Sequence, residues 1–273
     1  MNLLDDPVPF KEAIKAVDSK KLLPTNLDSA GLRLLDAGTR RQSIFSAENN
    51  LTDVLDGIQK GVASIVNPSQ EKRADRVTKD NPEGKVTTGL DPASMRLQLK
   101  QLLKDNHYSP DKGIAGTIKD LSSDARINLV VKTNVELAHG AGRFIQENSD
   151  PDVVDLWPAL ELVRYESRAK PRDWNDRWRQ AADDSGDDDA ARMLDEHGRM
   201  VARKDSPIWD SLGSTDLFPD GLDNPFPPFA FNSGMWTEEV SRDEAVKLGL
   251  IEEGDKIAAQ PVEIEKLFNF ANS

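Results

Sequence analysis

All five tryptophans of this 273-residue chain, Trp157, Trp174, Trp178, Trp209 and Trp236, lie in its second half. A buried tryptophan removes roughly 150–250 Å² from water, so the largest apolar anchors are confined to the region after residue 156. What precedes them has mostly aliphatic apolar side chains, and their spacing there is helical. Phe10, Ile14 and Val17 recur at helical period. Ser29 stands where it can cap a helix carrying Leu32, Leu34 and Leu35. Asn50 is placed to cap a third, in which Leu51, Val54, Leu55, Ile58, Val62 and Ile65 form one stripe closed by Asn67-Pro68.

The stretch from Pro68 to Leu90 is charged and punctuated by proline and glycine, which predicts a mobile connection with little more than some helix. Asp91-Pro92 marks a helix start, a capping carboxylate followed by proline at the first helical position. Met95, Leu99, Leu102 and Leu103 supply its buried face, and His107-Tyr108-Ser109-Pro110 ends it. The longest helix is predicted over 122–148, with Ile127, Val130, Val131, Val135, Ala138 and Ile145 in period. Ala138, Gly140, Ala141 and Gly142 leave one of its turns nearly bare, so that another backbone can approach closely.

The second half changes character. Leu160, Leu162 and Tyr165 alternate with charges over 159–167, a strand pattern. Residues 183–189 read as an acidic loop, and 192–202 as a hairpin turning at Glu196-His197-Gly198. Ser206-Pro207 opens a short helical turn with Ile208, Trp209 and Leu212. The Pro- and Phe-rich residues 218–231 read as loop, Ser241 to Glu244 as a capping box stopped at Gly249, and Pro261 as the start of a terminal helix with Ile264, Leu267 and Phe268. The class expected is α+β, a helical N-terminal half followed by a small mixed α/β domain with aromatic- and proline-rich loops. Its expected divisions are a helical leader 1–66, a charged linker 67–90 and a domain 91–273, the last holding the long helix 122–148, a strand and hairpin region 159–204, a Pro/aromatic segment 206–236 and C-terminal helices.

Composition removes several chemistries. With no cysteine there is no disulfide, thiolate metal site or thiol catalysis. The net charge of -13 argues against direct DNA binding, because neutralising phosphates needs an excess of Lys and Arg. No apolar run approaches the ~20 residues that cross a bilayer, so no membrane role is expected. The opening MNLLDDPVPF lacks the basic and apolar regions of an export signal, which points to a cytoplasm. His107, His139 and His197 lie far apart without a neighbouring histidine at ligand spacing, so no metal is expected. The acidic run Asp183, Asp184, Asp187, Asp188 and Asp189 lacks the alternating ligands and distal Glu of a calcium loop. No G-x-S-x-G elbow or phosphate-cradling glycine motif is present. Glu161 and Glu166, five residues apart on the predicted strand, point to opposite faces rather than pairing. Neither catalytic residues nor cofactors are therefore assigned.

Four segments in order resemble the phage Mu F-like head morphogenesis family of minor head, or minor capsid, proteins. The family pattern has a helix of the type T-N-x-x-x-A…G-R, then D-x-R-x-R-P-x-H, D-P-F-W-D and P-P-x-x-x-x-C-R-C. This chain has Thr133, Asn134, Ala138, Gly142 and Arg143 in the first, and Glu166, Arg168, Lys170 and Pro171 in the second. Ser206-Pro207-Ile208-Trp209-Asp210 matches the third and Pro227-Pro228 the fourth, so the resemblance spans about residues 115–250. It departs where Asp173 replaces the family histidine and Ser233-Gly234-Met235 the Cys-Arg-Cys segment, so a metal or stabilising cluster of those residues cannot form here.

The resemblance implies a structural minor head protein of a tailed bacteriophage, acting in procapsid assembly at or near the portal vertex. Its implied partners are the phage portal protein, the scaffold or the major capsid protein. Its implied location is the host cytoplasm during assembly and then the virion, in the capsid interior or at the portal vertex. The leader's amphipathic stripes are expected to meet the portal or scaffold. Arg168 and Lys170 beside Glu166 and Asp173 read as an ion-pair network holding loops. Two alternatives stay open: a hydrolase or transferase using a carboxylate/Arg site around Glu166, Arg168 and Asp173, and an internal capsid cargo or adaptor protein.

Overall fold

The computed structural model of the protein describes residues 11–72, 77–79, Pro82, 85–88, 91–168 and 170–260. In chain order these form α1 (Lys11–Asp18), β1 (Lys21–Leu22), α2 (Ser29–Arg33), α3 (Ala37–Arg41), β2 (Ser43–Ile44), α4 (Thr52–Val66), β3 (Ser69–Lys72), β4 (Lys85–Thr88) and α5 (Pro92–Asp105). There follow α6 (Asp124–Ser149), α7 (Pro151–Leu156), β5 (Ala159–Arg164), α8 (Trp174–Ser185), α9 (Asp188–His197), β6 (Val201–Arg203), α10 (Ile208–Gly213), β7 (Met235–Val240) and α11 (Arg242–Lys247). The class is α+β, with small sheets among many helices. Phe10 and the predicted terminal helix from Pro261 lie outside the described residues.

The described residues divide into two compact units, 11–29 with 43–139 and 30–42 with 140–260. This differs from the division expected at residues 66 and 90. The reason is that α5 is no independent start: its Met95, Leu99 and Leu103 share one core with Val54, Leu55, Ile58 and Val62 of α4 and Ile127 and Val131 of α6. Two glycines one helical turn apart permit the approach. A Cβ on Gly57 would stand 2.5 Å from Leu102 Cδ1, and one on Gly61 2.6 Å from Met95 Cε. The α4 stripe that the sequence offers to a partner is thus covered within its own unit.

Local signals explain two helix starts in this unit. Asp91 Oδ1 accepts from Ala93 N and Ser94 N ahead of Pro92, as the Asp-Pro start predicts. Ser123 Oγ accepts from Arg126 N at the beginning of α6. Asn50 does not cap α4. Leu51 holds that position without a side-chain bond, and Asn49 Oδ1 instead accepts from Leu51 N. The predicted mobile connection contains a ribbon, since β3 and β4 pair antiparallel from Ser69 opposite Thr88 to Lys72 opposite Lys85. Backbone hydrogen bonds, with no apolar alternation to announce them, define it.

In the other unit β5 is the central strand of a three-stranded antiparallel sheet ordered β6-β5-β7. Strand alternation sorts its core residues by face. Leu160, Leu162, Ala202 and Met235 join Trp174, Trp178, Ile208, Trp209, Leu212 and Phe229. Ala159, Val201 and Val240 join Val154, Met193, Ala245, Leu250 and Ile251. The expected hairpin over 192–202 is instead helix α9 followed by β6. Asp187 caps α9 through Ala190 N, and Gly198 at φ 67° ends it. That glycine is a helix stop in the left-handed region rather than a hairpin turn. The acidic stretch is correspondingly not a loop throughout. Asp183 and Asp184 close α8, Gly186 makes the left-handed turn, and Asp188 and Asp189 open α9.

Leu55, fully buried, is the most sensitive position of the α4 stripe. Leu55→Ala is expected to lower unfolding stability by about 2–5 kcal/mol in urea titration. Leu97→Ala, at a side chain 71% exposed on α5, should change it by less than about 0.5 kcal/mol.

Candidate functional site

Part of the segments that carry the resemblance, from Gly142 onward, lies in the second unit, whose core holds an aromatic stack that includes Trp209. Trp178 and Trp209 meet edge to face at 5.6 Å, and Trp209 lies over Phe229 at 6.0 Å. Each indole N–H is used: Trp178 Nε1 donates to Ala190 O and Trp209 Nε1 to Arg203 O, both at 2.8 Å. The stack therefore ties α8 to α9 and β6 to α10 by hydrogen bonds as well as by area.

Arg177, on α8, joins the same centre. Its Nε and Nη2 donate to Leu212 O at 3.2 and 2.8 Å, and Nη1 donates to Asp220 Oδ1 at 2.7 Å. The guanidinium lies 3.9 Å from the Phe218 ring centroid and 5.0 Å from that of Trp174. Burial lowers its pKa from the ordinary arginine value, while Asp220 pulls it back up. Arg172 adds a second ion pair to Asp220 at 2.5 Å. A cation placed here holds loop 218–220 against α8 and α10.

The Pro-rich loop is fixed from two sides. Asn224 Nδ2 donates to Phe226 O and, at 3.0 Å, to Pro228 O. From the other side comes the bare turn of α6. A Cβ on Gly140 would overlap the Pro227 carbonyl oxygen and stand 3.0 Å from Phe226 Cδ2. Small residues on the long helix thus serve the close backbone approach expected of them, and the backbone is that of Pro227, whose bond to Pro228 is cis. One turn on, Arg143 Nε donates to Glu147 Oε1 at 2.7 Å and its guanidinium lies 5.7 Å from the Trp236 ring. Lys204, 1% exposed in its side chain, gives its Nζ to Glu147 O and Glu239 Oε1, both at 2.9 Å. Burial pushes the Glu147 carboxyl up, partly countered by Arg143. Between these groups is a hollow lined by Arg143, Phe144, Glu147, Trp209, Phe226 and Trp236, with space for little more than a water molecule.

The named sequence positions fare differently. Gly142, Trp209, Pro227 and Pro228 are buried, and Arg143 is half-buried. Thr133 and Asn134 belong to the other unit, where Thr133 is buried and Asn134 Nδ2 bonds back to Val130 O. Glu166 pairs with Arg168 at 2.8 Å. Asp173 accepts from Asp176 N as the cap of α8, while Lys170 and Pro171 are exposed. The expected network of Arg168 and Lys170 with Glu166 and Asp173 reduces to that single ion pair. Asp210 is exposed and within electrostatic reach of Arg41. Glu161, on the strand, takes Arg199 Nε at 3.0 Å. Sequence reasoning missed Arg177, Asn224, Lys204 and Arg40, the last of which pairs with Asp223 and donates to Thr215 Oγ1 at 2.7 Å. No local signal marks them, since each bonds across a loop or a long sequence interval, although Asn before a Pro-Phe-Pro-Pro run hints at Asn224.

Among the described residues no group of three or more His, Asp or Glu side chains is placed to hold a metal ion. Among them, too, no helix is long and apolar enough to cross a membrane. No protein-family model, curated protein or solved structure matches the chain.

Gly140→Ala is expected to destabilise the protein by about 1–3 kcal/mol, because the Pro227 backbone must move. Gly113→Ala, where an added Cβ meets nothing, should not, and thermal melts of the two variants make the comparison. The raised pKa of Glu147 has a definite sign. The folded state binds that proton more tightly than the unfolded chain, so this group's penalty is full at neutral pH and shrinks as pH falls through its folded pKa. Wild type should therefore gain stability relative to Glu147→Gln on acidification, measured by denaturant unfolding at neutral and mildly acidic pH.

Proposed function

We propose that this protein is a structural minor head protein of a tailed bacteriophage, acting in procapsid assembly at or near the portal vertex. The observation that carries the reading is the use made of the residues behind the resemblance. Trp209, Pro227 and Pro228, with Gly142 and Arg143 on α6, pack in one unit, where many of the polar groups around them bond backbone carbonyls or one another. Such a frame suits a part that holds surfaces in place. The hollow beside it is too small for a drug-sized ligand, which needs roughly 300 Å³ or more. For the hydrolase or transferase reading, Asp173 is engaged as a helix cap and Glu166 with Arg168, which leaves that trio without the shared geometry of an acid and a base.

The partners that fit this role are the portal protein, the scaffold or the major capsid protein, met first in the host cytoplasm and then in the virion. Because the α4 stripe is internal, such contact would fall on surfaces other than that stripe. The test is to co-express the full chain with the portal protein and to analyse procapsids and virions by mass spectrometry. Co-purification with portal and a low, fixed copy number in both particles are expected. Absence from both particle types would refute the reading, and an even dispersal through the interior without portal binding would favour the cargo or adaptor alternative.

A further inference from the structure

The second unit carries a basic, aromatic surface at one end of α8. Residues 164–172 contain Arg164, Arg168, Lys170 and Arg172 against the single acid Glu166, in a chain whose net charge is -13. They gather around the turn before β7. Tyr165 N and Glu166 N donate to Gly234 O at 2.9 and 3.0 Å, Arg172 Nη2 donates to Phe231 O at 2.6 Å, and Arg164 lies opposite Met235. Tyr165 is 77% exposed, with its ring 6.5 Å from that of Trp236. Arg164 and Lys170 are exposed and have no ion-pair partner among the described residues, whereas Arg168 and Arg172 are held by Glu166 and Asp220.

At the other end of α8 stand Asp183, Asp184, Asp188 and Asp189, all exposed; Asp189 pairs with Arg192 and Asp184 accepts from Ser211 Oγ, while Asp183 and Asp188 have no ion-pair partner among the described residues. The helix has 12 residues, so at 1.5 Å per residue it separates the two ends by about 18 Å. An ion pair needs about 4 Å. The acidic end of a molecule therefore cannot neutralise its own basic end, and the α8 macrodipole adds to the separation, positive at Trp174 and negative at Ser185.

We propose that copies of this protein associate head to tail, the Asp183–Asp189 end of one docking on the Arg164, Tyr165 and Lys170 surface of the next. Charge complementarity selects this occupant over a nucleic acid. Two uncommitted cations are few for a polyphosphate. The chain itself presents an acidic run of matching size at the same concentration as the surface. A contact between two different patches is heterologous, so it leads to a closed ring or an open chain rather than a two-fold dimer. Nothing in this association depends on the minor-head reading.

The test is sedimentation velocity on the full chain at about 0.01 M salt and at about 1 M, between which the screening length falls from roughly 30 to 3 Å. At low salt the mass should rise with concentration above the 30.2 kDa of one chain, and at high salt it should return to that value. Arg164→Glu with Lys170→Glu, and separately Asp183→Lys with Asp188→Lys, should each abolish self-association. An equimolar mixture of the two doubles should associate again, since one intact surface remains in each and the two reversed surfaces are complementary. Asp183→Asn with Asp188→Asn, which spares α9 a reversed charge in its first turn, should also weaken self-association, and near-ultraviolet circular dichroism checks that every variant is folded. A wild type that stays monomeric at low salt overturns the proposal, as do folded doubles that still associate or a mixture that stays monomeric. Binding of a single-stranded oligonucleotide that needs Arg164 and Lys170, without self-association, also overturns it and assigns the surface to nucleic acid.

Discussion

The guanidinium of Arg177 is the contact on which the second unit depends. A charge withdrawn from water is tolerated only when its donors find acceptors, and here three nitrogens reach Leu212 O and Asp220. The acceptors are as needy as the donor. Leu212 lies in the last turn of the six-residue α10, where carbonyls have no helical partner, and Asp220 sits in the loop just after the buried Phe218. One side chain on α8 thus completes a helix end and pins a turn. The flat face of Phe218 supports it where hydrogen bonds do not.

From that fixed point the remaining geometry follows by exclusion. With α10 held, Trp209 must lie between Trp178 and Phe229, and Phe229 brings the Pro-rich loop with it. The loop then passes so near α6 that only glycine fits at position 140. Several charges at the margin are matched locally. Lys204 serves the end of α6 and the edge strand together, and Arg199 joins Glu161 to Glu244. The polar groups of this region are largely committed to architecture, which is why the site has more hydrogen bonds than open space.

Elements whose ends are written in adjacent residues were legible in the sequence. Asp91-Pro92, the Ser241 capping box and the period of 122–148 each name a local cause, and the structure places helices there. Two local patterns misled. Glu196-His197-Gly198 has hairpin chemistry, but Ala190, Met193 and Leu194 stand at helical spacing and bury one face, so the glycine ends a helix. The pairing of β3 with β4 rests on backbone groups that no side-chain pattern reports. Within the candidate site, the bare turn of α6 and the short helix carrying Ile208, Trp209 and Leu212 were readable. Their fasteners were not, because Arg177 meets residues 35 and 43 positions away and Lys204 one 57 positions away.

Residues 30–42 belong with the later part of the chain, through Arg40 at Asp223 and Thr215. Arg40 and Thr215 are 175 positions apart. At a synthesis rate of about 5–20 residues per second, that early segment emerges on the order of ten to thirty seconds before its acceptor exists. Flanking residues on either side can fold against each other meanwhile, while this short stretch waits as a tether with Arg40 short of its acceptors. The native arrangement is therefore reached only after translation has passed Asp223, and a ribosome stalled earlier would carry a half-finished molecule whose N-terminal segment is free to meet the wrong acid.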